Sequence, residues 1–535
     1  MSNLNNDSVE QVKTNKAVKP LNRIDKFFGI TARGSTIKAE IIAGIVTFLA
    51  MCYILTVNPN QFFWGGIMVK NPDFGIVKDA AEFIPNYTPT SNPLWTSVFI
   101  ATAFGAIVGT LLMAFLAKLP LAQAPGMGLN SMVGSVIGGG VGLVSYHFSF
   151  SLANAMFMVL ISGLLFLLLS IISIKGVSLR QKIFEGIPAG IRTAIPVGIG
   201  LFIAFIGFQN AKVIVANQYT LVDLIGFSGY GFNVANACVC LFGLVVIAVL
   251  DKLKVKGSVI IGIFAATLFG LIPGIDVTKI SIITGSEPGI SWKFWDNFSN
   301  YFSNNGVFGL AVTEGWKLPA GSIMTVIMLI ITFCMIDMFD TMGTCVGCCS
   351  AAGLLDEKGV PLNYDKIMLS DSIATFTGAI FGTSTVTTFV ESGAGIATGG
   401  KTGLTALTTA IMFFLAIFAL PVFAMIPSAA AASALVYVGV LMMKNIKNID
   451  FSDIKVVVPA FLAIAVMPLG YSITKGIGMA ILSYVVISIF CYVGELVKYS
   501  CSKSDTKVKP KFDISIVTLI IAALFIVYFF VPTVL

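Results

Sequence analysis

Charged side chains are scarce in this chain: Asp, Glu, Lys and Arg make up only 11% of its 535 residues. Soluble domains typically carry about 25%. Hydrophobic residues reach 56%, so the polar residues are too few to cover a water-facing surface, and a soluble enzyme is excluded. Intrinsic disorder is excluded as well, because so much apolar area would collapse. The composition predicts an all-α membrane protein with many spans.

Several chemical signatures are also missing. The chain has one histidine, His147, near a predicted membrane boundary, so a histidine proton relay is not expected. The absence of a GxxxxGK[ST] phosphate loop argues against an ATP-driven pump. The C-x-x-C-C run at 345–349 has no second ligand pair, so neither a metal site nor a cofactor is expected. The polar stretch 1–19 has no apolar run beside it, so no cleavable signal peptide is expected.

Apolar segments long enough to cross a bilayer, about 20 residues each, recur along the chain. Eleven are uninterrupted: 37–57, 95–117, 152–174, 190–209, 234–250, 256–273, 320–342, 403–426, 428–443, 456–470 and 476–497. Three more are interrupted by Gly, Pro, Thr or Ser: 121–143, 366–382 and 383–399. Together they predict fourteen transmembrane segments. A further apolar stretch, 514–532, is expected either to cross again or to lie along the interface.

The basic residues predict the orientation. If the N-terminus is cytoplasmic, the outer loops hold seven lysines, and the other 26 of the 33 Lys and Arg residues lie inside. This asymmetry follows the positive-inside rule. The net charge of +7 is therefore assigned to membrane topology and not to nucleic acid binding. A multi-pass protein of the cell membrane, with the lipid bilayer as its partner, is expected.

The segments fall into two halves of seven. The predicted organisation is a polar cytoplasmic tail (1–36), a first repeat (37–273), an extracellular loop (274–319), a second repeat (320–497) and a C-terminal basic and apolar region (498–535). Because seven is odd, the second half runs inverted relative to the first. The third segment of each half is the broken one, and matched broken segments are typical of transporter binding sites. The alternative is that Gly-rich segments simply pack closely.

Three acidic residues stand out inside predicted spans, where each costs roughly 2.5–3.5 kcal/mol on insertion scales. Asp337 and Asp340 lie three apart in the eighth span, and Glu391 lies in the second broken segment. Their partners are a substrate, a cation, a proton or polar groups of the bundle. The structural alternative is that they cap backbone groups or bond to Ser and Thr, with Asp340 at a local kink. A carboxylate in a low-dielectric environment binds a proton more readily than in water, and this chemistry couples a solute to a proton gradient.

The two broken segments carry the same pattern. In 119–130, two prolines disfavour a helix, so an extended stub followed by a half-helix is predicted, with Asn130 one turn into the half-helix. In the second segment, 382–385 is the predicted stub, and 387–395 is the predicted half-helix that carries Glu391. Half-helix starts direct unpaired N–H groups toward the bilayer midplane.

A planar heterocycle suits a site of this kind. Its N–H groups donate to carboxylates, its ring nitrogens and carbonyls accept from N–H groups, and its faces stack on aromatic rings. Phe339 and Phe389 are the candidate stacking partners. Since the chain has 43 phenylalanines, a plain packing role is the alternative for both.

Five sequence stretches together resemble a known family. They are EIIAGIVTFLAMCYILTVNP (40–59), LAQAPGMGLN (121–130), FDTMGT (339–344), TSTVTTFVESGAGIATGGKTGLTA (383–406) and PAFLAIAVMPLGYSITKGIG (459–478). From about residue 25 to residue 497 the chain resembles the AzgA-like adenine/guanine/hypoxanthine permeases of the xanthine–uracil permease (nucleobase–ascorbate transporter) superfamily.

The resemblance implies both a fold and an activity. The fold would be a seven-plus-seven inverted repeat with a core (spans 1–4 and 8–11) and a gate (spans 5–7 and 12–14). The activity would be purine nucleobase import by proton symport, with sodium as the alternative coupling ion, through an elevator motion of the core. A homodimer is the assembly that the family implies.

The resemblance also implies site residues, which fall into two sets. Substrate binding is carried over to Asn130, Asp337 and Glu391, and more loosely to Gly128 and Thr388, with Phe339 and Phe389 as the stacking candidates. Proton coupling is carried over to Asp337, with Glu391 and Asp340 as further candidates. No catalytic residue is implied.

The same residues leave three alternative functions. An anion transporter of the related sulfate-permease group shares the fold, but an anion site favours neutral or basic groups at the half-helix starts. An intramembrane aspartyl protease needs two close carboxylates, but it leaves the matched broken segments without a purpose. A channel is the third. The leading expectation is a non-enzymatic purine transporter.

Overall fold

The computed structural model describes residues 23–67, 93–137, 150–174, 177–178, 186–217, 221–228, 231–255, 257–272, 275, 277, 294–303, 306–355, 360–470, 473–501, 512 and 514–530. In chain order its helices are α1 (Arg23–Phe28), α2 (Ile37–Met51), α3 (Ile54–Ile67), α4 (Pro93–Leu112), α5 (Met127–Val136), α6 (Leu152–Ile171), α7 (Ala189–Asn210), α8 (Phe232–Lys252), α9 (Ser258–Phe269), α10 (Phe294–Phe302), α11 (Leu310–Thr313), α12 (Ile323–Ala352), α13 (Tyr364–Phe381), α14 (Ser392–Ala397), α15 (Gly403–Phe418), α16 (Leu420–Ala424), α17 (Ser428–Met443), α18 (Ile454–Leu469), α19 (Ile473–Cys501) and α20 (Ile516–Phe530). A π-helical turn (Met113–Ala117) follows α4, and 3₁₀ turns lie at Thr31–Arg33 and Lys444–Asn448.

The helices have the length and composition of membrane spans. Among the described residues, eight helical stretches are long and apolar enough to cross a bilayer, and four shorter apolar helices accompany them. Large apolar side chains such as Phe461, Leu469 and Phe490 are exposed on the outside, where lipid would cover them. The predicted class, a multi-pass helical membrane protein, is confirmed. The tail before residue 23, segment 138–143 and residues 278–293 of the loop 274–319 lie outside the described residues.

The span predicted over 37–57 lies within one candidate membrane span, Ile37–Phe62, whose helix is interrupted once. Helix α2 ends at Met51, and α3 begins at Ile54. At the break, Leu55 N donates to Cys52 O at 3.1 Å, so the hydrogen bonds shift from the α-helical to the tighter 3₁₀ spacing. The break sets the direction of Tyr53, whose side chain is completely buried.

Short strands complete the secondary structure, so the fold is not purely helical. They are β1 (Gln123–Pro125), β2 (Ser173–Ile174), β3 (Val177–Ser178), β4 (Ile214–Asn217), β5 (Leu221–Leu224) and β6 (Val386–Thr388). They pair as three antiparallel ribbons, β1 with β6, β2 with β3 and β4 with β5. The first ribbon joins the two broken segments, which lie far apart in sequence. Inside a bilayer, such pairing provides the hydrogen bonds that an interrupted helix loses.

The helices pack as two groups. The first group joins α2–α6 to α12–α15, and the second joins α7–α9 to α17–α19. Contacts are concentrated within each group, while only a few helix pairs, such as α5 with α7 and α12 with α7, connect them. The C-terminal helix α20 packs on α19, and Thr518 Oγ1 donates to Gly186 O at 2.5 Å. The broken segments belong to the first group and face the second.

Small residues hold the second group together. A Cβ added at Gly439 on α17 would lie 2.5 Å from Gly200 O on α7, and one at Gly207 would lie 3.1 Å from Ala432 O. Helices in lipid associate through such close backbone approach, because no hydrophobic driving force acts between them. Helices α7 and α17 therefore form a tight antiparallel pair, and both contribute to one wall of the cavity described below.

Candidate functional site

The two broken segments meet in the ribbon formed by β1 and β6. Its register pairs Gln123 with Thr388, Ala124 with Thr387 and Pro125 with Val386. Two further backbone bonds extend it, from Gly126 N to Thr385 O at 2.9 Å and from Phe389 N to Ala122 O at 3.0 Å. Each strand leads into a short helix, so the ribbon fixes the starts of α5 and α14 relative to each other.

The half-helices begin at different distances from their strands. Helix α5 starts at Met127, and Asn130 lies one turn into it, as the sequence predicted. Helix α14 starts at Ser392, so the predicted half-helix over 387–395 begins too early. The reason is the ribbon, because residues 386–388 pair with β1 in extended conformation. Glu391 consequently occupies the N-cap position and not the helix interior.

A cavity of about 810 Å³ lies between the two helix groups. The starts of both half-helices and helix α12 form one wall, with Gly126, Met127, Gly128, Asp340, Thr388, Phe389, Val390 and Glu391. Helices α7 and α17 form the opposite wall, with Arg192, Thr193, Pro196, Ile199, Ile203, Val438, Leu441 and Met442. The cavity therefore combines two carboxylates, two half-helix starts and apolar walls, which is the usual make-up of a small-molecule site.

Glu391 is held in the cavity wall by a tyrosine. The hydroxyl of Tyr53 donates to Glu391 Oε1 at 2.5 Å, and the same hydroxyl lies 3.7 Å from Met127 Sδ. Glu391 itself is only 7% exposed. One carboxylate oxygen is thus oriented by the protein, and the carboxylate as a whole remains part of the cavity surface.

Asp340 is the second acid of the cavity. Its Oδ2 accepts a long hydrogen bond, 3.4 Å, from Thr387 Oγ1 on β6. Asp340 and Glu391 line the same cavity. Two carboxylates in one low-dielectric cavity are not readily ionised together. The pair therefore favours a ligand that donates hydrogen bonds, or a bound proton.

Asp337 and Asn130 lie behind the cavity wall instead of in it. Asp337 is 1% exposed, and its Oδ2 accepts from Thr375 Oγ1 at 2.8 Å. Asn130 is fully buried, donates from Nδ2 to Pro125 O at 3.3 Å and accepts from the Ser384 hydroxyl. Asn130 therefore joins the two broken segments, whereas Asp337 is bonded to Thr375 on α13, whose Oγ1 lies 3.3 Å from Val386 O. The roles of both residues in binding and coupling stay predictions.

The other predicted residues divide in the same way. Gly128, Thr388 and Phe389 line the cavity beside Asp340 and Glu391. A Cβ at Gly128 would lie 3.1 Å from Ile473 Cδ1 and 3.2 Å from Ile199 Cγ2, so glycine permits the two helix groups to meet there. The side chain of Phe339 lies outside the described part of the structure.

Sequence reasoning missed a third buried acid beside the ribbon. Asp371 on α13 is fully buried, and its Oδ1 accepts from Gln123 Nε2 at 2.7 Å and from Thr341 Oγ1 at 2.9 Å. Thr341 Oγ1 in turn accepts from the backbone N of Thr388 at 3.3 Å. Asp371 lies inside the predicted span 366–382, so the rule that flagged the other acids applied here too. Tyr53 had no such signal, because a tyrosine in an apolar span usually just packs.

Glu40 shows that a buried acid can be purely structural. Its carboxylate accepts from the backbone N of Lys401 at 2.9 Å and of Thr402 at 3.1 Å, and from Thr405 Oγ1 at 2.6 Å. It therefore holds the residues that lead into α15, whose N-cap is Thr402, and lies near the start of that helix, a favourable position for a negative charge. Asp340 and Glu391 differ from Glu40 because both line the cavity.

Comparison with known proteins is consistent with this geometry. A family model described as a permease family, Xan_ur_permease, matches residues 85–479. The chain is 35% identical to the guanine/hypoxanthine permease PbuO of Bacillus subtilis over 465 residues, covering 86% of this chain and 93% of that protein. It is 32% identical to the adenine permease AdeQ of Escherichia coli over 486 residues, covering 91% and 94%.

A solved structure shares the fold. The transmembrane domain of the cyanobacterial bicarbonate transporter BicA superposes with a TM-score of 0.55 at 16% identity, covering 82% of this chain and 97% of that one. At this identity the likeness concerns the fold alone. The relatives are permeases and not enzymes, so the protease alternative is discarded. On the matched family model and these relatives, the chain belongs to the xanthine/uracil permease family of multi-pass membrane transport proteins.

Proposed function

We propose that this protein imports purine nucleobases by proton symport. The observation that carries the proposal is the cavity in which Asp340 and Glu391 meet the starts of both half-helices. A purine presents ring N–H and amine donors that complement the carboxylates, and Phe389 supplies an aromatic face in the same wall. Relatives named as adenine and guanine/hypoxanthine permeases support this substrate class.

Each predicted residue receives a role in this proposal. Glu391 and Asp340 bind the base directly, Phe389 stacks on it, and Gly128 and Thr388 shape the pocket. Asn130 holds the two broken segments from behind, and Asp337 exchanges the coupled proton. Phe339 remains a candidate for stacking. Sodium is the alternative coupling ion.

The motion proposed is an elevator. The first helix group would be the core that carries the substrate, and the second would be the gate. Support comes from the concentration of contacts within each group and from the pairing of the two broken segments, which the sequence predicts at matching places in two inverted sets of seven spans. If the N-terminus is cytoplasmic, the N-terminal end of α7 and the C-terminal end of α17, which both line the cavity, face the cytoplasm. We further propose a homodimer in the cell membrane.

Proteoliposome uptake tests the function. Labelled adenine or hypoxanthine is expected to accumulate when the outside is made acidic, and a protonophore is expected to abolish accumulation. Accumulation driven by a sodium gradient instead would show that the coupling ion is sodium and not a proton. Uptake of sulfate or bicarbonate without purine uptake would overturn the proposal in favour of an anion transporter.

Glu391→Gln tests the site. We expect purine affinity to fall about tenfold to a hundredfold, because a hydrogen bond to a charged group contributes about 1.5–3 kcal/mol. The measurement is calorimetric titration of the purified protein, and Glu495→Gln is the control because Glu495 lies half-exposed on α19. Wild-type affinity in Glu391→Gln would remove this residue from the site.

A further inference from the structure

We propose that the mouth of the cavity, lined by Arg192, Thr193, Lys444, Asn445 and Asn448, binds the phosphate of a purine mononucleotide. The base of this mononucleotide occupies the inner site at Asp340 and Glu391. The cavity volume, about 810 Å³, is near the upper end of the range of about 300–1,000 Å³ that holds drug-sized ligands. A single purine base is much smaller than such ligands. A base bound at the carboxylates therefore leaves the rest of the cavity available.

The two ends of the cavity have opposite character. The inner end carries Asp340 and Glu391, whereas the remaining walls include the cations Arg192 and Lys444. Asn445, Asn448 and Thr193 add polar side chains beside these cations. Lys444 and Asn448 are exposed, so the cavity reaches the molecular surface at this end. A ligand with a donor-rich ring and a negative tail complements this distribution of charge.

The order of residues along α7 fixes the separation of the two ends. Ile199 is level with the inner site, because a Cβ at Gly128 would lie 3.2 Å from its Cγ2. Arg192 precedes Ile199 by seven residues, which correspond to a rise of about 10 Å along an α-helix. Lys444 and Asn445 follow the C-terminal end of α17, where Met442 is level with Gly200 of α7, because a Cβ at Gly200 would lie 2.5 Å from Met442 Cβ. The backbone of Lys444 is therefore closer to the level of Ile199 than Arg192 is, and Lys444 is exposed. The separation of about 10 Å along α7 belongs to Arg192. This spacing suits a base joined to a phosphate through a ribose.

The charges at the mouth favour an anion in particular. Within the described part of the chain, no ion pair to Lys444 is found. Arg192 lies at the end of the first turn of α7, where the helix dipole adds positive potential. Guanidinium and ammonium groups, together with amide donors, are the usual partners of phosphate oxygens. The base alone is neutral and uses none of these groups.

A phosphate site at the mouth would allow the transporter to be inhibited by a product that is made from the imported base. Reactions that attach an activated pentose phosphate to a ring nitrogen of an imported base yield a mononucleotide. Such an anion would enter from the mouth, place its base at the carboxylates and keep its phosphate at Lys444 and Arg192. It would occupy the site without being carried across. The inference rests on the proposed function only for the identity of the inner ligand.

The first test is competition on the purified full-length chain in nanodiscs. Labelled hypoxanthine or adenine is displaced by inosine or adenosine 5′-monophosphate, with inosine or adenosine as the matched ligand without phosphate. We expect the mononucleotide to compete about tenfold better than the nucleoside at low salt. The advantage should shrink at high ionic strength, since exposed charges are screened. Equal competition by nucleoside and mononucleotide would overturn the inference.

Variants locate the site. Lys444→Gln is expected to lower the ratio of mononucleotide to base affinity about fivefold, the scale of one exposed ion pair. Adding Arg192→Gln should lower it further. The control is Lys447→Gln, in the same 3₁₀ turn but outside the cavity wall, which should leave both affinities unchanged. An unchanged ratio in Lys444→Gln, or an equal loss in Lys447→Gln, would overturn the inference. Because Lys444 is exposed, its variant keeps the test valid even if Arg192→Gln fails to fold.

Direct binding separates this inference from the proposed function. Labelled mononucleotide is titrated onto the protein with no base present. Binding that depends on Lys444 supports the mouth site even if no base uptake is measured, in which case only the proposed function fails. Base uptake without any mononucleotide binding leaves the proposed function in place and refutes the mouth site.

Discussion

Tyr53 orients the acid that we assign to substrate binding. Its hydroxyl donates to Glu391 Oε1, and both residues are buried at the junction of the first span with the second broken segment. An oriented carboxylate loses less freedom when a ligand binds, so part of the affinity for a base would depend on a residue that does not itself line the cavity.

Tyr53→Phe removes this donor and keeps the ring. We expect purine affinity to fall about fivefold to tenfold, since one hydrogen bond contributes about 1–1.5 kcal/mol. Direct titration measures the change, and the maximal rate of uptake should change less than the affinity. Tyr492→Phe, which alters a tyrosine packed on Phe512 far from the site, is the control. If both variants bind purine as the wild type does, Tyr53 does not act through Glu391.

In the proposed function, Asp337 couples a proton without touching the substrate, because it does not line the cavity. Its contact is the Thr375 hydroxyl, and Thr375 also lies 3.3 Å from Val386 O on the ribbon. A change in the protonation of Asp337 would therefore alter the contact of Thr375 with Val386 on β6, the strand that precedes Glu391. The coupling role and the binding role can consequently belong to different acids.

Asp337→Asn tests this division. Asparagine keeps the size of the side chain and an oxygen that accepts from Thr375, but it does not bind a proton near neutral pH. We expect acid-driven accumulation of purine to disappear, while exchange of labelled for unlabelled purine persists. Asp450→Asn, at an exposed loop position, should behave as the wild type. Uptake against a gradient by Asp337→Asn would contradict the proposed proton role.

At the scale of elements, the ribbon of β1 and β6 and the pair of α7 and α17 form opposite sides of the site. The ribbon determines where each half-helix begins, and the small residues of α7 and α17 hold the facing wall at close packing distance. Both elements use backbone contacts, so their geometry is stiffer than that of side chains alone.

Gly439→Ala should disturb the α7–α17 pair. The new Cβ would lie 2.5 Å from Gly200 O, so the helices must separate, at a cost of about 1–3 kcal/mol. A lower thermal midpoint of the purified protein is the expected result. Gly494→Ala on α19 is the matched control, because a Cβ there meets nothing within 4 Å. Equal midpoints for the two variants would show that close packing at Gly439 is dispensable.

At the scale of the whole molecule, the proposed elevator requires the two helix groups to move past each other. They approach closely at Gly128, where a Cβ would lie 3.1 Å from Ile473 Cδ1. Helix α5 carries the first residue and α19 carries the second, so one contact joins the proposed core to the proposed gate.

The double variant Gly128→Cys with Ile473→Cys tests the motion. Bridging the two thiols with Hg²⁺ should slow purine uptake about tenfold or more, because the groups can no longer slide, and a thiol reductant should restore it. Each single variant, treated identically, reports on the native cysteines. Full uptake by the bridged protein would argue against an elevator.

Much of the architecture followed from local composition. Scarce charge and long apolar runs determined a multi-pass helical protein, because a bilayer accepts little else. Prolines and glycines in 119–130 predicted an extended stub followed by a half-helix. Acids in apolar spans pointed to Asp337, Asp340 and Glu391, and of these Asp340 and Glu391 line the cavity. The sequence predicted too early a start for α14. Residues 386–388 are extended because they pair with β1, and the local sequence does not reveal a strand partner that lies so far away in the chain.

Only the tertiary structure decided which acids share a space. Asp337 and Asp340 lie three residues apart on one helix, yet Asp340 lines the cavity and Asp337 contacts Thr375 behind it. The partners of Tyr53 and Asp371 also come from distant segments. The sequence by itself determined that buried charge and broken helices exist in this protein. Their arrangement into a carboxylate end and a cationic mouth depended on the packing of two helix groups, a long-range property that local periodicity does not encode.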